Sequence, residues 1–161
     1  MKLVQTSRRI WLQHSARLGL SWAALQVWPA QAQKMESGNL MTLAQMLEPL
    51  TQGAKLLERD VRINAPVLAD NGSLVPLGVQ VQSPMTAQDH VTHVHLLSQR
   101  NPVTRMAVFH LGPWSGRAEV STRVRLAGSQ TVVALARLSS GEFRFGQMDI
   151  IVTESACVDA S

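Results

Sequence analysis

From Val61 to Thr153, apolar and polar residues alternate in short runs, each closed by turn-forming residues. Val61-Arg62-Ile63 alternates first. Val67-Leu68-Ala69 follows and is ended by Asp70-Asn71-Gly72-Ser73, a turn cluster. Val75, Leu77, Val79 and Val81 recur at period two, which puts them on one face of a strand, with Pro76, Gly78 and Gln80 on the other. Pro76 has no N–H to give to a ladder, so the start of this strand is expected at a sheet edge. Further runs cover Val91–Leu97, Met106–His110, Val120–Leu126, Thr131–Leu138 and Phe143–Thr153. Arg100-Asn101-Pro102, Pro113-Trp114-Ser115-Gly116, Gly128-Ser129-Gln130 and Ser139-Ser140-Gly141 separate them. About seven strands, with a turn signal roughly every 8–12 residues, predict a two-sheet antiparallel sandwich. No strand alternates with a long helix, which argues against an α/β fold.

Helical spacing appears only between 34 and 60, where Leu40, Leu43, Leu47 and Leu50 recur with Met46 beside them. Pro49 and Gly53 interrupt the pattern, so two short helices are expected. The first residues have another texture. Ser7-Arg8-Arg9-Ile10-Trp11-Leu12 carries paired arginines, an apolar stretch runs from Leu18 to Trp28, and Ala30-Gln31-Ala32 follows. This order is that of a secretory signal of the twin-arginine type, with cleavage expected between Ala32 and Gln33. Ser21 and Gln26 break the apolar stretch, which is too short for a stable membrane span. The chain therefore divides into a signal (1–32), a short helical extension (33–60), a β-sandwich (61–153) and a flexible arm (154–161). The place of work is outside the cytoplasm, in a periplasm.

Composition narrows the function. With 161 residues, 45% hydrophobic and 16% charged, the chain is globular and of one-domain size. Its net charge of +4 comes from Lys2, Arg8, Arg9 and Arg17, because eleven basic and eleven acidic residues balance from Gln33 onward. Without a positive field, binding to a phosphate backbone loses its main support. Outside the signal, Trp114, Phe109, Phe143 and Phe145 are too few for a row of base-stacking platforms, so no nucleic-acid partner is expected. The single cysteine excludes an intrachain disulfide and zinc sites built on several thiolates.

That cysteine, Cys157, is the first candidate for chemistry. It follows the last predicted strand in Thr153-Glu154-Ser155-Ala156-Cys157-Val158-Asp159. A thiol on a mobile segment of an exported protein is available for reaction, for pairing with a second chain, or for nothing at all. His93 and His95 project from one face of a strand and His90 from the other. Two imidazoles at this spacing can pinch a metal, yet no carboxylate or thiol at fixed spacing completes a set, so a polar strand face is the expectation and no metal or cofactor is assigned. Arg123 and Arg125 also share a face, suited to a small oxyanion, to a partner's carboxylates, or to solvent alone. There is no nucleophile elbow, HExxH or phosphate-cradling glycine loop, and no enzyme site is expected.

Four stretches together resemble the SoxY family of sulfur-oxidation carrier proteins. They are Ala65-Pro66-Val67-Leu68-Ala69-Asp70-Asn71-Gly72-Ser73-Leu74-Val75-Pro76, Arg100-Asn101-Pro102, Val120-Ser121-Thr122-Arg123-Val124-Arg125-Leu126-Ala127 and Thr131-Val132-Val133-Ala134-Leu135-Ala136. They occur in the family's order, between Val61 and Cys157, and a final strand leads to a cysteine. The resemblance implies an immunoglobulin-like sandwich that pairs with a SoxZ subunit. It also implies that Cys157 holds sulfur intermediates covalently while other sulfur-oxidation enzymes visit it transiently. A thiolate on a flexible arm suits that task. The family's arm ends Gly-Gly-Cys-Gly-Gly, whereas here Ser155-Ala156-Cys157-Val158-Asp159 adds side-chain bulk and a negative charge. A SoxY-like binding or scaffold module that has lost its cargo arm is the alternative.

Overall fold

A computed structural model describes residues 40–155. The expected signal (1–32) and the segment beyond Ser155, with Cys157, lie outside the described residues. In chain order the elements are α1 (Leu43–Thr51), β1 (Leu56–Glu58), β2 (Val61–Asn64), β3 (Leu68–Asn71), β4 (Val75–Val81), β5 (Val91–Ser98) and β6 (Arg105–His110). A 3-10 turn (Pro113–Ser115), β7 (Ala118–Val124), β8 (Gln130–Leu138) and β9 (Phe143–Glu154) follow. One sheet has the order β1-β9-β8-β5-β6, with β3 also on β9, and the other has the order β2-β4-β7. The result is an immunoglobulin-like sandwich, as expected.

The main ladders are antiparallel, but β1 and β3 both run parallel to β9. The chain visits one edge of β9 twice in the same direction, with β2 crossing to the other sheet in between. β1 pairs Leu56–Glu58 with Phe143–Phe145, and β3 pairs Leu68 with Ile151 and Asn71 with Glu154.

The period-two pattern of β4 fills the core. Val75, Leu77, Val79 and Val81 are each at most 4% exposed and pack with Val94, Leu96, Val132, Ala134 and Ile150 of the facing sheet. Burying each such Val, Leu or Ile contributes roughly 1.5–3 kcal/mol. Gly146 closes this interface: a Cβ there would collide with the carbonyl oxygen of Val61, so only glycine lets β2 pass this close to β9. Pro76 sits where its missing N–H costs least. β4 is a central strand, but its pairing with β2 ends at Asn64 opposite Gly78, leaving Pro76 with β7 alone.

A second apolar cluster lies on the outer face of the larger sheet. Met46 and Leu47 of α1 pack there against Leu97, Val133, Leu135, Phe143 and Phe145. β8 is thus buried on both faces over Val132–Ala136, which is why it reads as a continuous apolar run.

Where two short helices were expected between 34 and 60, the described residues from 40 onward form one α-helix. Thr42 caps α1: its Oγ1 accepts from the Gln45 N–H (3.3 Å), and Gln45 Oε1 accepts from the Thr42 N–H (2.8 Å). Pro49 lies in the last turn, where it forfeits one hydrogen bond to the Gln45 carbonyl without stopping the helix. Gln52 (φ 51°) and Gly53 (φ 80°) then end it in left-handed conformation. Where a second helix was expected, residues 56–58 form β1, so the sheet begins inside the segment assigned to the helical extension.

Candidate functional site

β9 carries the chain toward Cys157, and its last turn of sequence is held to the end. Its antiparallel pairing with β8 stops at Ile150 opposite Gln130. From there other groups take over. Val152 N–H donates to Ser129 Oγ (3.0 Å), Thr153 Oγ1 to the Asp70 carbonyl (2.7 Å), and Gly72 N–H to the Glu154 carbonyl (2.8 Å). The backbone is therefore fixed as far as Glu154. Cys157 follows three residues later, within about 10 Å of extended chain.

A buried polar knot organises the same end of the sandwich. Gln130, 6% exposed, accepts at Oε1 from Ser98 Oγ and from the Arg100 N–H (2.9 Å). Its Nε2 donates to Asn101 Oδ1 (3.1 Å) and to the Gly128 carbonyl (3.2 Å). Asn101 in turn donates from Nδ2 to the Arg125 carbonyl (2.7 Å) and accepts at Oδ1 from the Ala127 N–H (2.9 Å). Two sequence-distant loops, 98–101 and 125–130, are thereby locked together, and buried amides so satisfied specify one arrangement. Gly128 (φ 146°) lies where they meet the end of β9: an ideal Cβ there would stand 3.0 Å from Arg100 Nη1 and 3.2 Å from Ser155 Oγ. Sequence reading placed Gln130 in a turn and missed this knot. The one available signal was an uncharged amide opening an otherwise apolar run.

Arg123, near the end of β7, and Arg125, just beyond it, are both exposed. They line a hollow of about 460 Å³ between β7 and the start of β6, where Arg105 joins them. Asn101, Thr122 and Val103 complete much of its wall, and none of the described residues that line it is a carboxylate.

His93 and His95 lie elsewhere, toward the other end of β5, on the outer face beyond the reach of α1's apolar contacts. His110 of β6 stands opposite His93, with ring centroids 4.6 Å apart at an edge-on angle, and His93 and His95 stack at 6.0 Å. His95 Nδ1 is buried without a hydrogen-bond partner among the described residues. Burial, then the charges of His93, Arg105, His110 and Arg137, holds His95 below its ordinary pKa. Burial, His110 and Arg137 do the same for His93. Both shifts disfavour the charged imidazolium. Among the described residues, no group of three or more His, Cys, Asp or Glu is placed to hold a metal ion. None of the helices there is long and apolar enough to cross a membrane.

Fold and site together define an immunoglobulin-like β-sandwich protein with an arginine-lined end from which the last strand leads toward a lone cysteine. The profile of a family described as "Sulfur oxidation protein SoxY" matches residues 48–157, more than half of the chain, and the match ends on that cysteine. The chain belongs to the SoxY family. Among solved structures, the sulfur carrier protein SoxY from Chlorobium limicola f thiosulfatophilum is similar at 24% identity, over 66% of this chain and 92% of that one, with a TM-score of 0.56. A putative superoxide reductase from Thermotoga maritima is similar at 21% identity, over 65% and 98%, with a TM-score of 0.54. A superoxide reductase (neelaredoxin) from Ignicoccus hospitalis is similar at 16% identity, over 58% and 80%, with a TM-score of 0.52. At these identities the likenesses establish a shared fold. No curated protein matches the chain in sequence.

Proposed function

We propose that this protein is a carrier subunit of a periplasmic sulfur-oxidation system, holding sulfur intermediates covalently on Cys157 and exported by the twin-arginine route. The observation that carries this reading is the SoxY family match, which runs through the sandwich and ends on Cys157. The geometry before the cysteine supports it. Strand β9 is anchored as far as Glu154, so whatever follows starts from a fixed point beside Arg100. Joining the Cys157 thiol to the outer sulfur of thiosulfate forms one S–S bond and releases a proton and two electrons. A partner enzyme must take those electrons, because nothing in this chain is assigned to accept them. The protein is thus a substrate presented to enzymes and not itself a catalyst. A SoxZ-like subunit is the expected stable partner.

The test is the intact mass of the purified protein after incubation with thiosulfate and the enzymes of the pathway. The protein gains the mass of the bound sulfur species, and a Cys157→Ser variant does not. Equal gain by the variant overturns the reading.

One observation favours a second reading, a SoxY-like scaffold without cargo. Ser155, Ala156 and Val158 add bulk around Cys157, and Asp159 adds a charge that disfavours a nearby thiolate. On that reading, a SoxZ-like chain co-purifies equally with a version lacking residues 156–161, and no mass gain occurs in the intact protein.

A further inference from the structure

We propose that the hollow between β6 and β7 is a binding site for a small, doubly charged oxyanion of the sulfate or thiosulfate class, held by Arg105, Arg123 and Arg125. Three features lead there. First, Arg105 comes from β6, the outermost strand of one sheet, and Arg123 from β7, the outermost strand of the other, with Arg125 directly after β7. Second, among the described residues no Asp or Glu lines the hollow, and Arg105 and Arg123 form no ion pair. The like charges of Arg105 and Arg123 repel one another across the concavity, and a dianion between them turns that repulsion into attraction. Third, guanidinium groups present planar forks of N–H donors that match the paired oxygens of a tetrahedral oxyanion. The Asn101 amide fixes the position of the wall, because it is tied to the Arg125 and Ala127 backbone and to Gln130. The site therefore stands on a locked loop pair and not on free surface side chains alone. The edges of β6 and β7 carry no further strand among the described residues, so backbone N–H groups there are available as added donors. The volume of about 460 Å³ leaves room for the anion with its water.

Position gives the site a use. Arg100, next in sequence to Asn101, lies beside Ser155 at Gly128, and Cys157 is two residues, about 7 Å of extended chain, beyond Ser155. The hollow thus opens at the end of the sandwich from which the cysteine departs. The choice of a sulfur oxyanion as its natural ligand rests on the carrier reading, whereas the existence of an anion site does not. Binding here is non-covalent and involves no redox step.

The experiment separates the two. Sodium thiosulfate and sodium sulfate are titrated into the Cys157→Ser protein by calorimetry at constant ionic strength, with chloride as the control. The expected result is saturable binding with a dissociation constant on the order of 1 mM. An Arg105→Gln, Arg123→Gln double variant should bind at least ~10-fold more weakly, and Arg62→Gln, on the outer face of β2, should leave binding unchanged. The substituted arginines are exposed, and a circular dichroism spectrum equal to the parent's shows that the fold is kept. Absence of saturable binding in the Cys157→Ser protein overturns the proposal, as does equal binding by the double variant. Neither result depends on whether Cys157 carries cargo, because that residue is absent from the assay.

Discussion

Gln130 donates from Nε2 to Asn101 Oδ1 across 3.1 Å, joining two residues that are 29 positions apart in sequence. With Ser98 and the Arg100 N–H on its other oxygen, Gln130 has no polar atom left unsatisfied although it is buried. Replacing it by Leu keeps the volume and strands the Ser98 hydroxyl and the Arg100 N–H. Each stranded buried group costs about 1–3 kcal/mol. Urea unfolding of Gln130→Leu should show a loss of about 2–6 kcal/mol on that basis. A change within ~0.5 kcal/mol, the usual range for surface substitutions, would show that the knot does not matter to stability.

Gly128 holds a backbone conformation that side chains rarely adopt, between Arg100 and Ser155. Gly128→Ala adds both backbone strain and a steric conflict, with an expected cost of about 1–3 kcal/mol. The thermal midpoint should fall accordingly. An unchanged midpoint would mean that neither the strain nor the contact with Arg100 and Ser155 costs the fold stability.

Acidification should weaken the fold through His93 and His95. The unfolded chain takes up protons on these imidazoles as the pH falls past their ordinary value of 6.5, while the folded protein holds both below it. The unfolded state then binds more protons, so stability is full above pH 6.5 and declines as the pH falls toward the lowered folded values. Denaturant midpoints taken from about pH 7.5 down to about pH 5 should drop, and His95→Gln should flatten the drop. An identical slope in the variant rules these residues out as its source.

Helix α1 contributes by covering the outer face of β8. Leu47, 1% exposed, packs against the sheet there, and Leu47→Ala should cost about 2–5 kcal/mol. Denaturant titration gives the figure. A loss below ~1 kcal/mol, less than the removed methyl groups alone are worth, would mean that the helix docks only loosely.

Much of this fold was legible because β-sandwich physics writes itself locally. Val75, Leu77, Val79 and Val81 alternate because one face of β4 is buried and the other is not. β8 is apolar over Val132–Ala136 because α1 covers its second face. What could not be read was set by distant partners. Leu56-Leu57-Glu58 is too short to show a period, and it becomes a strand only because Phe143–Phe145 offers an open edge. Pro49 looked like a helix breaker, but near the end of a capped helix it costs a single bond. At the candidate site, Arg123 and Arg125 were visible as a shared face. Arg105 joins them only through the packing of two sheet edges, and Gln130 meets Asn101 only once the loops close. The third imidazole, His110, is likewise brought to His93 by cross-strand register and not by spacing.

The central claim is that Cys157 carries sulfur. Its most direct test is peptide mapping of the protein purified under non-reducing conditions from its native host growing on thiosulfate. Trypsin cleaves after Arg144, the last basic residue, so Cys157 falls in the peptide that begins at Phe145. The account predicts that this peptide appears with added sulfur or sulfur-oxyanion mass that a reducing agent removes. The same peptide found only with a free, unmodified thiol during active thiosulfate oxidation would contradict it.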